Sequence, residues 1–465
     1  MIHVSALRWP KLAAVLALLL MTTACAVLPN TDFLSERYVA QAAQFASARG
    51  TVSAAKSAAI VAGLKRQSGD LDILDKQIAL EQAIVGSPLV LGNKVVLLED
   101  GPATYAAMFA AIRQAKDHIN IESYIIEDDA VGHQFSEALM ERQLHGVQVN
   151  LIYDSIGAWG IDPAFFARLS QAGVNVLEFN PVNPLNLKKA WSPNHRDHRK
   201  LLVVDGHTAI LGGINISSVY SRGSALRGSR APVDPARGWR DSDVLIEGPV
   251  VAEFQKLFMD TWEKQHGHAL APKNYFPQLV PVGKDIVRAI GSTPDAPFSQ
   301  IYLTLISAIS NAEQQVFITN AYFVPDPQLV TALVEAAQRG VDVRLMLPSQ
   351  SDSALAYFNG RSHYETLLQS GVKIYERHGA LLHAKTAMVD GVWSCVGSSN
   401  LDWRSALDND EVNAVILGHD FGERMRAAFF RDMASADEMT PGDWAQRPGG
   451  TRFKEWAASL WARLL

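Results

Sequence analysis

The chain is poor in cysteine, since Cys25 and Cys395 are the only two among 465 residues. Two cysteines exclude a framework of several disulfides and a cysteine-based zinc site. Positive charge is not in excess either: 48 acidic residues face 42 lysines and arginines, and the formal net charge is −6. The chain therefore lacks the global basic field that is typical of nucleic-acid-binding proteins, although a local basic patch is compatible with this balance.

Two motifs of common hydrolases are also missing. Neither a G-x-x-x-x-G-K-[ST] nor a G-x-S-x-G pattern occurs in the sequence. The first pattern cradles nucleotide phosphates and the second exposes a catalytic serine, so neither a nucleoside-triphosphatase nor a serine esterase is supported. The length and the hydrophobic content of 48% allow two or three domains with full cores.

The N-terminus has the pattern of a targeting segment. A basic start precedes residues 12–31, which carry no charge, as in a secretory signal. Cys25 follows "MTTA", which resembles a bacterial lipoprotein site where the cysteine is acylated, although Thr22 stands where leucine is usual. A transmembrane anchor and an ordinary signal peptide are the alternatives. All three predict a body outside the cytoplasm, on the periplasmic side, and acylation of Cys25 would leave Cys395 without a disulfide partner.

From about residue 93 the sequence alternates between strand-like and helix-like segments, and the order returns in the second half. "ESYIIED" (122–128) matches "NAYFVPD" (320–326), and "HGVQVNLIYD" (145–154) matches "RGVDVRLMLP" (339–348). The alternation is typical of an α/β domain, and its return indicates a domain duplication. The predicted divisions are a signal or anchor (1–30), an N-terminal helical segment (31–90), a first lobe (91–275), a second lobe (276–436) and a C-terminal tail with an amphipathic helix (437–465).

One constellation of polar residues occurs in both halves. Each copy reads H-x-K-x4-D-G, followed after five residues by G-[GS]-x-N. A single H-x-K-x4-D would be a weak signal, but two copies at matching places in a duplication are a strong one. The residues of the two copies are His198, Lys200, Asp205, Gly213 and Asn215, and His383, Lys385, Asp390, Ser398 and Asn400.

The spacing suits phosphate chemistry. Histidine and lysine two positions apart on a strand point to the same side, and Asp-Gly predicts a tight turn. The lysine can neutralise phosphate charge, and the histidine can attack, donate or accept a proton near neutral pH. Phosphoryl transfer needs its attacking and leaving atoms on opposite faces of phosphorus, which one histidine cannot occupy alone. Two copies related by a pseudo-two-fold axis can, so we predict a phosphodiester site between the halves.

With these motifs the chain resembles the phospholipase D superfamily over roughly residues 90–435, and within it the bacterial cardiolipin synthases. The closest similarity lies in "NHRDHRKLLVVDG" (194–206), "WRDSDVLIEGPVV" (239–251) and "GSSNLDWRSALDNDEVN" (397–413). The resemblance implies an α/β fold, a duplicated α-β-α sandwich with two pseudo-two-fold related lobes and the active site between them. It also implies phosphatidyl transfer through a phosphohistidine, without a metal or another cofactor.

The resemblance also implies roles for the motif residues. His198 would be the nucleophile and His383 the general acid and then the base. Asp205 and Asp390, which complete the two catalytic motifs, would be structural or orienting. Gly213 in place of serine removes one hydroxyl donor from the first half. The residues that would bind phosphate oxygens are Lys200, Lys385, Asn215, Asn400 and Ser398.

Two further carboxylates align between the halves. Counted back from the glycine that ends "VLIEG" or "AVILG", Asp241 matches Glu411. In the family such carboxylates orient the histidine of the opposite half. We therefore expect His198 to pair with Glu411 and His383 with Asp241, which would fix each tautomer and stabilise the imidazolium.

Some other polar and aromatic residues allow further interpretations. The residues that suggest a metal site are His195, His198, Asp205 and His207. The three-residue spacing of the first two suits a helix, whereas the sequence predicts loop and strand, so no metal is predicted. Tyr124 and Tyr322 occupy matching strand positions and are interpreted as core or pocket wall.

Two segments outside the motifs carry open alternatives. Residues 221–238 contain four arginines and predict an exposed loop, which either meets anionic head groups or is a solvated linker. In the C-terminal tail Phe453, Trp456, Leu460 and Trp461 share one face of a helix, which either lies at a membrane interface or docks onto the protein core.

The leading functional hypothesis is a membrane-associated phosphatidyltransferase that makes cardiolipin or a similar phospholipid. Its expected substrates are phosphatidylglycerol and, as a second candidate, phosphatidylethanolamine. The alternatives are a hydrolytic phospholipase D that yields phosphatidic acid, a nucleic-acid phosphodiesterase and an inactive membrane scaffold. Negative net charge and the membrane-directed N-terminus argue against a nucleic-acid partner. The oligomeric state is left open by the sequence.

Overall fold

A computed structural model of the protein describes residues 42–67, 69, 71–182, 194–222 and 238–464. The predicted signal or anchor with Cys25 lies outside the described residues, and so does most of the arginine-rich loop at 221–238. In the described ranges, none of the helices combines the length and apolar character needed to cross a membrane.

The described chain starts with a small hairpin and two helices. Helix α2 packs against the second half of the molecule through Glu81, whose carboxylate accepts a hydrogen bond of 2.7 Å from the indole of Trp393 and lies 3.3 Å from Arg288. All three side chains are buried, so this segment is part of the protein core. The elements are β1 (Phe45–Ser47), β2 (Gly50–Thr51), α1 (Ala54–Gln67) and α2 (Ile73–Ile84).

The first lobe is a mixed sheet with helices on its faces. Strands β4, β5 and β6 are parallel, while β8, β9, β11 and β3 continue the sheet in antiparallel fashion in that order. The elements are β3 (Leu89–Glu99), α3 (Gly101–Gln114), β4 (His118–Ser123), α4 (Ala130–Leu144), β5 (Gln148–Asp154), α5 (Pro163–Gln171), β6 (Asn175–Phe179), β7 (Arg196–Asp197), β8 (Lys200–Val204), β9 (Thr208–Gly212), β10 (Trp239–Arg240), β11 (Ser242–Glu247) and α6 (Val251–Lys264).

The second lobe repeats this order. Strands β13, β14 and β15 are parallel, and β17, β18, β19 and β12 extend the sheet as β8, β9, β11 and β3 do in the first lobe. The elements are β12 (Asp285–Ser292), α7 (Gln300–Ser310), β13 (Gln315–Asn320), α8 (Pro327–Gln338), β14 (Asp342–Pro348), α9 (Ala354–Ser362), α10 (Tyr364–Gln369), β15 (Lys373–Arg377), β16 (Leu381–Leu382), β17 (Lys385–Val389), β18 (Trp393–Gly397), α11 (Trp403–Leu407), β19 (Asn409–Leu417), α12 (His419–Met433), β20 (Ala436–Met439), α13 (Pro441–Ala445) and α14 (Gly449–Ser459).

The common strand order confirms the predicted α/β fold with two related lobes. The lobes join because β12 pairs with β3, so that one sheet runs through the molecule. Two short parallel pairings also cross the junction: β7 of the first lobe pairs with β19 of the second, and β16 of the second pairs with β10 of the first. These exchanges are symmetric, as a pseudo-two-fold relation requires.

The aspartates of the two H-x-K-x4-D motifs lie in the turns between β8 and β9 and between β17 and β18. Asp205 and Asp390 have φ of 53° and 52°, and the glycine after each has φ of 66°, which is the backbone of a two-residue hairpin turn. The Asp205 carboxylate accepts backbone N–H bonds from residues 116–118, and that of Asp390 from residues 313–315, all at 2.7–2.9 Å. Each carboxylate thus holds the start of a neighbouring strand, β4 or β13, at the end of the motif strand that lies opposite the lysine, which is a structural contact. The inclusion of both aspartates in the catalytic set stays a prediction.

The C-terminal helix α14 packs against α9 through a narrow strip. Its buried residues are Glu455 and Ala458, while Phe453, Trp456 and Leu460 are exposed. The alternative in which this aromatic face docks onto the protein core is therefore wrong.

Candidate active site

The two cross-lobe strand pairings bring each motif histidine to the opposite lobe. His198 follows β7, and its backbone N–H donates to the Asp410 carbonyl of β19 at 2.9 Å. His383 follows β16, and its N–H donates to the Arg240 carbonyl of β10 at 2.7 Å. Because Glu411 follows Asp410 and Asp241 follows Arg240, each histidine lies beside a carboxylate of the other lobe.

Both histidines contact these carboxylates through Nδ1. His198 Nδ1 lies 2.9 Å from Glu411 Oε1 and 3.1 Å from Oε2, and His383 Nδ1 lies 2.7 Å from Asp241 Oδ2. Both carboxylates are fully buried, and the histidines are nearly so. A carboxylate at Nδ1 favours the tautomer that carries its proton there, which leaves the lone pair on Nε2 for chemistry.

In the pair of His198 and Glu411, the carboxylate is ionised and the imidazole is neutral near neutral pH. Burial lowers the pKa of His198 to about 4, and the nearby lysines add to this although Glu411 opposes it. Burial alone would raise the pKa of Glu411, but His198, Lys200 and the hydrogen bonds it accepts outweigh this and bring it to about 2. Near neutral pH, His198 is therefore a neutral imidazole beside an ionised carboxylate.

The second histidine has a similar setting. Burial and the charge of Lys385 lower the pKa of His383 to about 4, against the influence of Asp241. Lys200 of the first lobe adds to that lowering, and Lys385 of the second lobe does the same at His198. The two motifs therefore act electrostatically on one another and belong to one site.

The motif lysines lie side by side with the histidines, as the spacing predicts. Each ammonium group donates to the backbone carbonyl of its own motif histidine and is buried. Burial lowers the pKa of Lys200 to about 7 and that of Lys385 to about 8. A bound anion would restore the charge of both, so the pair is suited to holding phosphate oxygens.

Aromatic rings line both half-sites. The ring centroid of Tyr124 is 5.0 Å from that of His198, and Tyr322 lies 5.9 Å from His383. Lys200 and Lys385 lie over the same two tyrosine rings, at 5.1 and 5.7 Å. Both tyrosines therefore flank the motif residues, and Trp239 adds a third ring 5.2 Å from His383.

Of the residues predicted to bind phosphate, the two asparagines and the serine have different surroundings. Asn215 and Asn400 are buried beside the motif strands, and the Asn215 side chain accepts a bond from Ile125 N and donates to Tyr220 Oη. Ser398 is fully buried, donates its hydroxyl to Glu411 and accepts a bond of 3.0 Å from Val412 N. This hydroxyl therefore contacts the carboxylate, and the binding of phosphate by Ser398 stays a prediction.

The serine has no counterpart in the first lobe for a steric reason. A Cβ atom at Gly213 would lie 2.3 Å from Asp241 Oδ1, so a side chain does not fit there. Asp241 Oδ1 instead accepts the backbone N–H of Ser242 at 2.7 Å.

Two residues of the site were missed by the sequence analysis. Tyr220 and Ser405 each lie five positions after the motif asparagine of their lobe. Ser405 Oγ donates to Glu411 Oε1 at 2.7 Å, whereas Tyr220 Oη lies 3.2 Å from His383 Nδ1. Their equal offset is a signal that extending the repeat alignment past the asparagine would have shown.

Buried arginines brace the two crossing strands, and they were also missed. Arg199 donates to the Glu411 carbonyl at 3.2 Å and to Thr261 Oγ1 at 2.6 Å. Arg240 lies 3.0 Å from both carboxylate oxygens of Asp432. They hold the backbone next to each carboxylate, which makes them positioning residues.

His195, one of the histidines considered for a metal site, instead contacts an aspartate of the second lobe. His195 Nε2 lies 2.9 Å from Asp410 Oδ1, on the strand that crosses from the second lobe. His195 therefore contributes to the crossing rather than to the pair at His198.

The chain is similar to proteins of one family over both lobes. Residues 108–223 and 305–433 match the family model "Cardiolipin synthase, PLD-like domain". A cardiolipin synthase of Geobacillus kaustophilus is 33% identical over 380 residues, which are 81% of this chain and 74% of that protein. The major cardiolipin synthase ClsA of Bacillus subtilis is 33% identical over 378 residues, 80% of this chain and 76% of that one.

Among solved structures, a phosphatidylserine synthase of Haemophilus influenzae has the same fold. It superposes with a TM-score of 0.58 at 14% identity and covers 83% of this chain and 99% of its own. At this identity the likeness concerns the fold and not the substrate.

Proposed function

Because the chain belongs to the phospholipase D-like family of the cardiolipin synthases, we propose that it transfers a phosphatidyl group from one phospholipid to the hydroxyl of another at the junction of its lobes. It is an enzyme of this phosphatidyltransferase family. The observation that carries the proposal is the crossed arrangement, in which each histidine is held by a carboxylate of the other lobe.

In the first step His198 Nε2 attacks the phosphorus of the donor lipid. The bond from phosphorus to the head-group oxygen breaks, and His383 gives that oxygen a proton as the alcohol leaves. The phosphatidyl group is then covalently bound to His198. Lys200 and Lys385 bind the phosphate oxygens, whose charge the transition state spreads.

In the second step the process runs in reverse with a new alcohol. A hydroxyl of the acceptor lipid loses its proton to His383 and attacks phosphorus, and the bond to His198 Nε2 breaks. The products are the new diester and the enzyme in its starting state. When phosphatidylglycerol is both donor and acceptor, glycerol is the alcohol that leaves in the first step and cardiolipin is the new diester.

His198 must be a neutral imidazole to attack phosphorus, whereas His383 must be protonated to act as the general acid, although the two histidines have similar surroundings. Burial keeps the pKa of His383 near 4, but a phosphodiester anion between the histidines favours the imidazolium and raises it. Glu411 stays ionised and stabilises the positive charge that develops on His198 as it attacks. The assignment of His198 as nucleophile follows the resemblance described above.

The substrates and surroundings are part of the proposal. Phosphatidylglycerol is the proposed donor, and phosphatidylethanolamine is a second candidate. The enzyme would work on a membrane, with its body outside the cytoplasm, held by acylated Cys25 or by an N-terminal transmembrane segment. Supporting observations are the uncharged run at residues 12–31 and its cysteine.

The test is a lipid product analysis. Purified protein and a His198→Asn control are mixed with vesicles of phosphatidylglycerol and phosphatidylethanolamine, and the lipids are followed by mass spectrometry. We expect new cardiolipin with the wild type and none with the variant. Phosphatidic acid as the sole product would mean that water is the acceptor, and no change in the lipids would refute the transferase proposal.

A further inference from the structure

The C-terminal helix presents a large apolar face to solvent. Phe453, Trp456, Leu460 and Trp461 are between 44% and 66% exposed. Phe453, Trp456 and Leu460 follow one another at spacings of three and four, so they form one stripe along α14. Exposed patches of this kind mark interaction surfaces in folded proteins.

Polar contacts on the buried side of α14 fix the orientation of the apolar face. Buried Glu455 lies 2.9 Å from Arg447 and 3.4 Å from Arg361, and Asn359 Nδ2 donates to the Ala458 carbonyl at 3.2 Å. A rotation that buried the aromatic side would break these contacts and leave charges buried without partners. The stripe therefore points outward in the folded protein.

The exposed charges of residues 449–463 have one sign. Arg452, Lys454 and Arg463 are exposed, and Glu455, the one acidic residue in 449–463, is buried in the contacts just described. This local positive charge contrasts with a chain whose net charge is −6. It is complementary to an anionic surface.

Two basic residues beside the face contact elements that neighbour site residues in the chain. The guanidinium group of Arg463 lies 5.6 Å from the ring centroid of Trp403, two residues before the Ser405 that bonds Glu411. Lys454 lies 5.3 Å from the ring of Phe358 in α9, the helix that begins two residues after Asp352. Asp352 accepts a hydrogen bond of 2.7 Å from the site tyrosine Tyr322.

We propose that this face docks the active-site side of the protein onto the surface of an anionic phospholipid bilayer. Tryptophan and phenylalanine on a short helix rimmed by lysine and arginine are suited to the boundary between head groups and acyl chains. Docking there would bring the two histidines to the depth of the head groups that they act on. The inference rests on the proposed function and adds the surface by which the site reaches its substrate.

Contact with lipid is tested by fluorescence quenching. The full chain is reconstituted into vesicles of phosphatidylglycerol and phosphatidylethanolamine whose acyl chains carry bromine near the head groups. We expect a larger quenched fraction in the wild type than in Trp456→Phe/Trp461→Phe, because bromine quenches only tryptophans that reach the lipid. Equal quenched fractions in both proteins would overturn the proposal.

The role in catalysis is tested with two substrate forms. Trp456→Ala/Trp461→Ala should lose about tenfold in transfer rate on vesicles and less than about twofold on dispersed short-chain phosphatidylglycerol. Leu144→Ala, at an exposed leucine at the end of α4, is the matched control and should keep both rates. An equal loss on both substrates would indicate a structural role for the tryptophans and would overturn the proposal.

Failure of the proposed function and failure of the docking proposal give different results. If the wild type transfers nothing in either form, the proposed function is refuted, while quenching still decides whether the face meets lipid. If instead the double variant halves the mass in light scattering and quenching is unchanged, the face binds a second copy of the chain and the proposal is wrong.

Discussion

At the scale of single residues, the two half-sites are alike in geometry and unlike in support. Glu411 accepts hydroxyl bonds from Ser398 and Ser405 besides its contact with His198. Asp241 has the backbone N–H of Ser242 instead, and Tyr220 approaches His383 directly. The more heavily hydrogen-bonded carboxylate thus belongs to the histidine proposed as nucleophile, where positive charge develops first.

Replacing Glu411 with glutamine tests this support. Glu411→Gln keeps the size of the side chain and removes the negative charge that stabilises the imidazolium at His198. We expect kcat to fall about 100-fold while the fold is kept. Steady-state rates on phosphatidylglycerol vesicles, with circular dichroism as a control for folding, measure this. A rate within about threefold of wild type would contradict the role of the pair.

The lysines predict how activity depends on pH. A lysine is charged below its pKa, so Lys200 and Lys385, with pKa values of about 7 and 8, lose their charge as pH rises through that range. Binding of an anionic phosphodiester should weaken accordingly. We expect kcat/KM, which reports the free enzyme, to fall at least about tenfold between pH 7 and pH 10. A flat profile up to pH 10 would show that both lysines stay charged.

At the scale of elements, the hairpin turns and the N-terminal helix support the site without contributing a side chain to it. The turns at Asp205 and Asp390 fix the ends of β8 and β17, whose other ends carry the motif lysines. Helix α2 is tied to β12 and β18 through Glu81. Changes here should alter stability more than chemistry.

The hairpin turn supplies one such prediction. Asp205→Ala removes three hydrogen bonds to residues 116–118 and places alanine at a positive φ, so unfolding should cost about 2–4 kcal/mol less. The rate per folded molecule should stay within about threefold. Chemical denaturation and active-site-normalised rates check the two parts. A variant as stable as the wild type but inactive would contradict a purely structural role and support a catalytic one for Asp205.

The N-terminal helix supplies another. Glu81→Leu leaves Arg288 buried without its carboxylate, which should lower the thermal midpoint by at least about 5 °C. Because two apolar residues leave no unpaired charge, Glu81→Leu/Arg288→Met should regain most of that loss. Differential scanning calorimetry of the three proteins measures it, and an additive double variant would refute the coupling.

At the scale of the whole molecule, the duplication places one site between two lobes. Each histidine and its carboxylate come from different lobes of the same chain. His198→Asn and His383→Asn should each remove nearly all turnover, and mixing the two inactive variants should restore none of it. Recovery on mixing would mean that the site forms between two chains.

Much of this arrangement is predictable from the repeat. The second motif, the alternating elements and the alignment of Asp241 with Glu411 are visible in one sequence because duplication preserves spacing. The division of the chain at residues 30, 90, 275 and 436 stays a prediction.

Other features depend on tertiary contacts that spacing does not encode. Strand β3 begins at Leu89, although the alternating sequence pattern begins only at about residue 93. Gly92 at φ 87° interrupts the strand pattern, and pairing with β12 continues the strand through it. The side chain of Tyr220 reaches His383 only because a 3₁₀ turn, Ser218–Tyr220, places its ring there. Ser398 could not be assigned to Glu411 without the register of β18 and β19.

The most direct test of the account is to trap the covalent intermediate. A phosphatidic acid ester of p-nitrophenol, whose leaving group departs without a proton, is mixed with wild type, His198→Asn and His383→Asn, quenched rapidly and digested for peptide mass spectrometry. We expect a nitrophenolate burst and a phosphatidyl adduct on the His198 peptide in the wild type and in His383→Asn, and neither in His198→Asn. An adduct on the His383 peptide, or a burst that survives in His198→Asn, would contradict it.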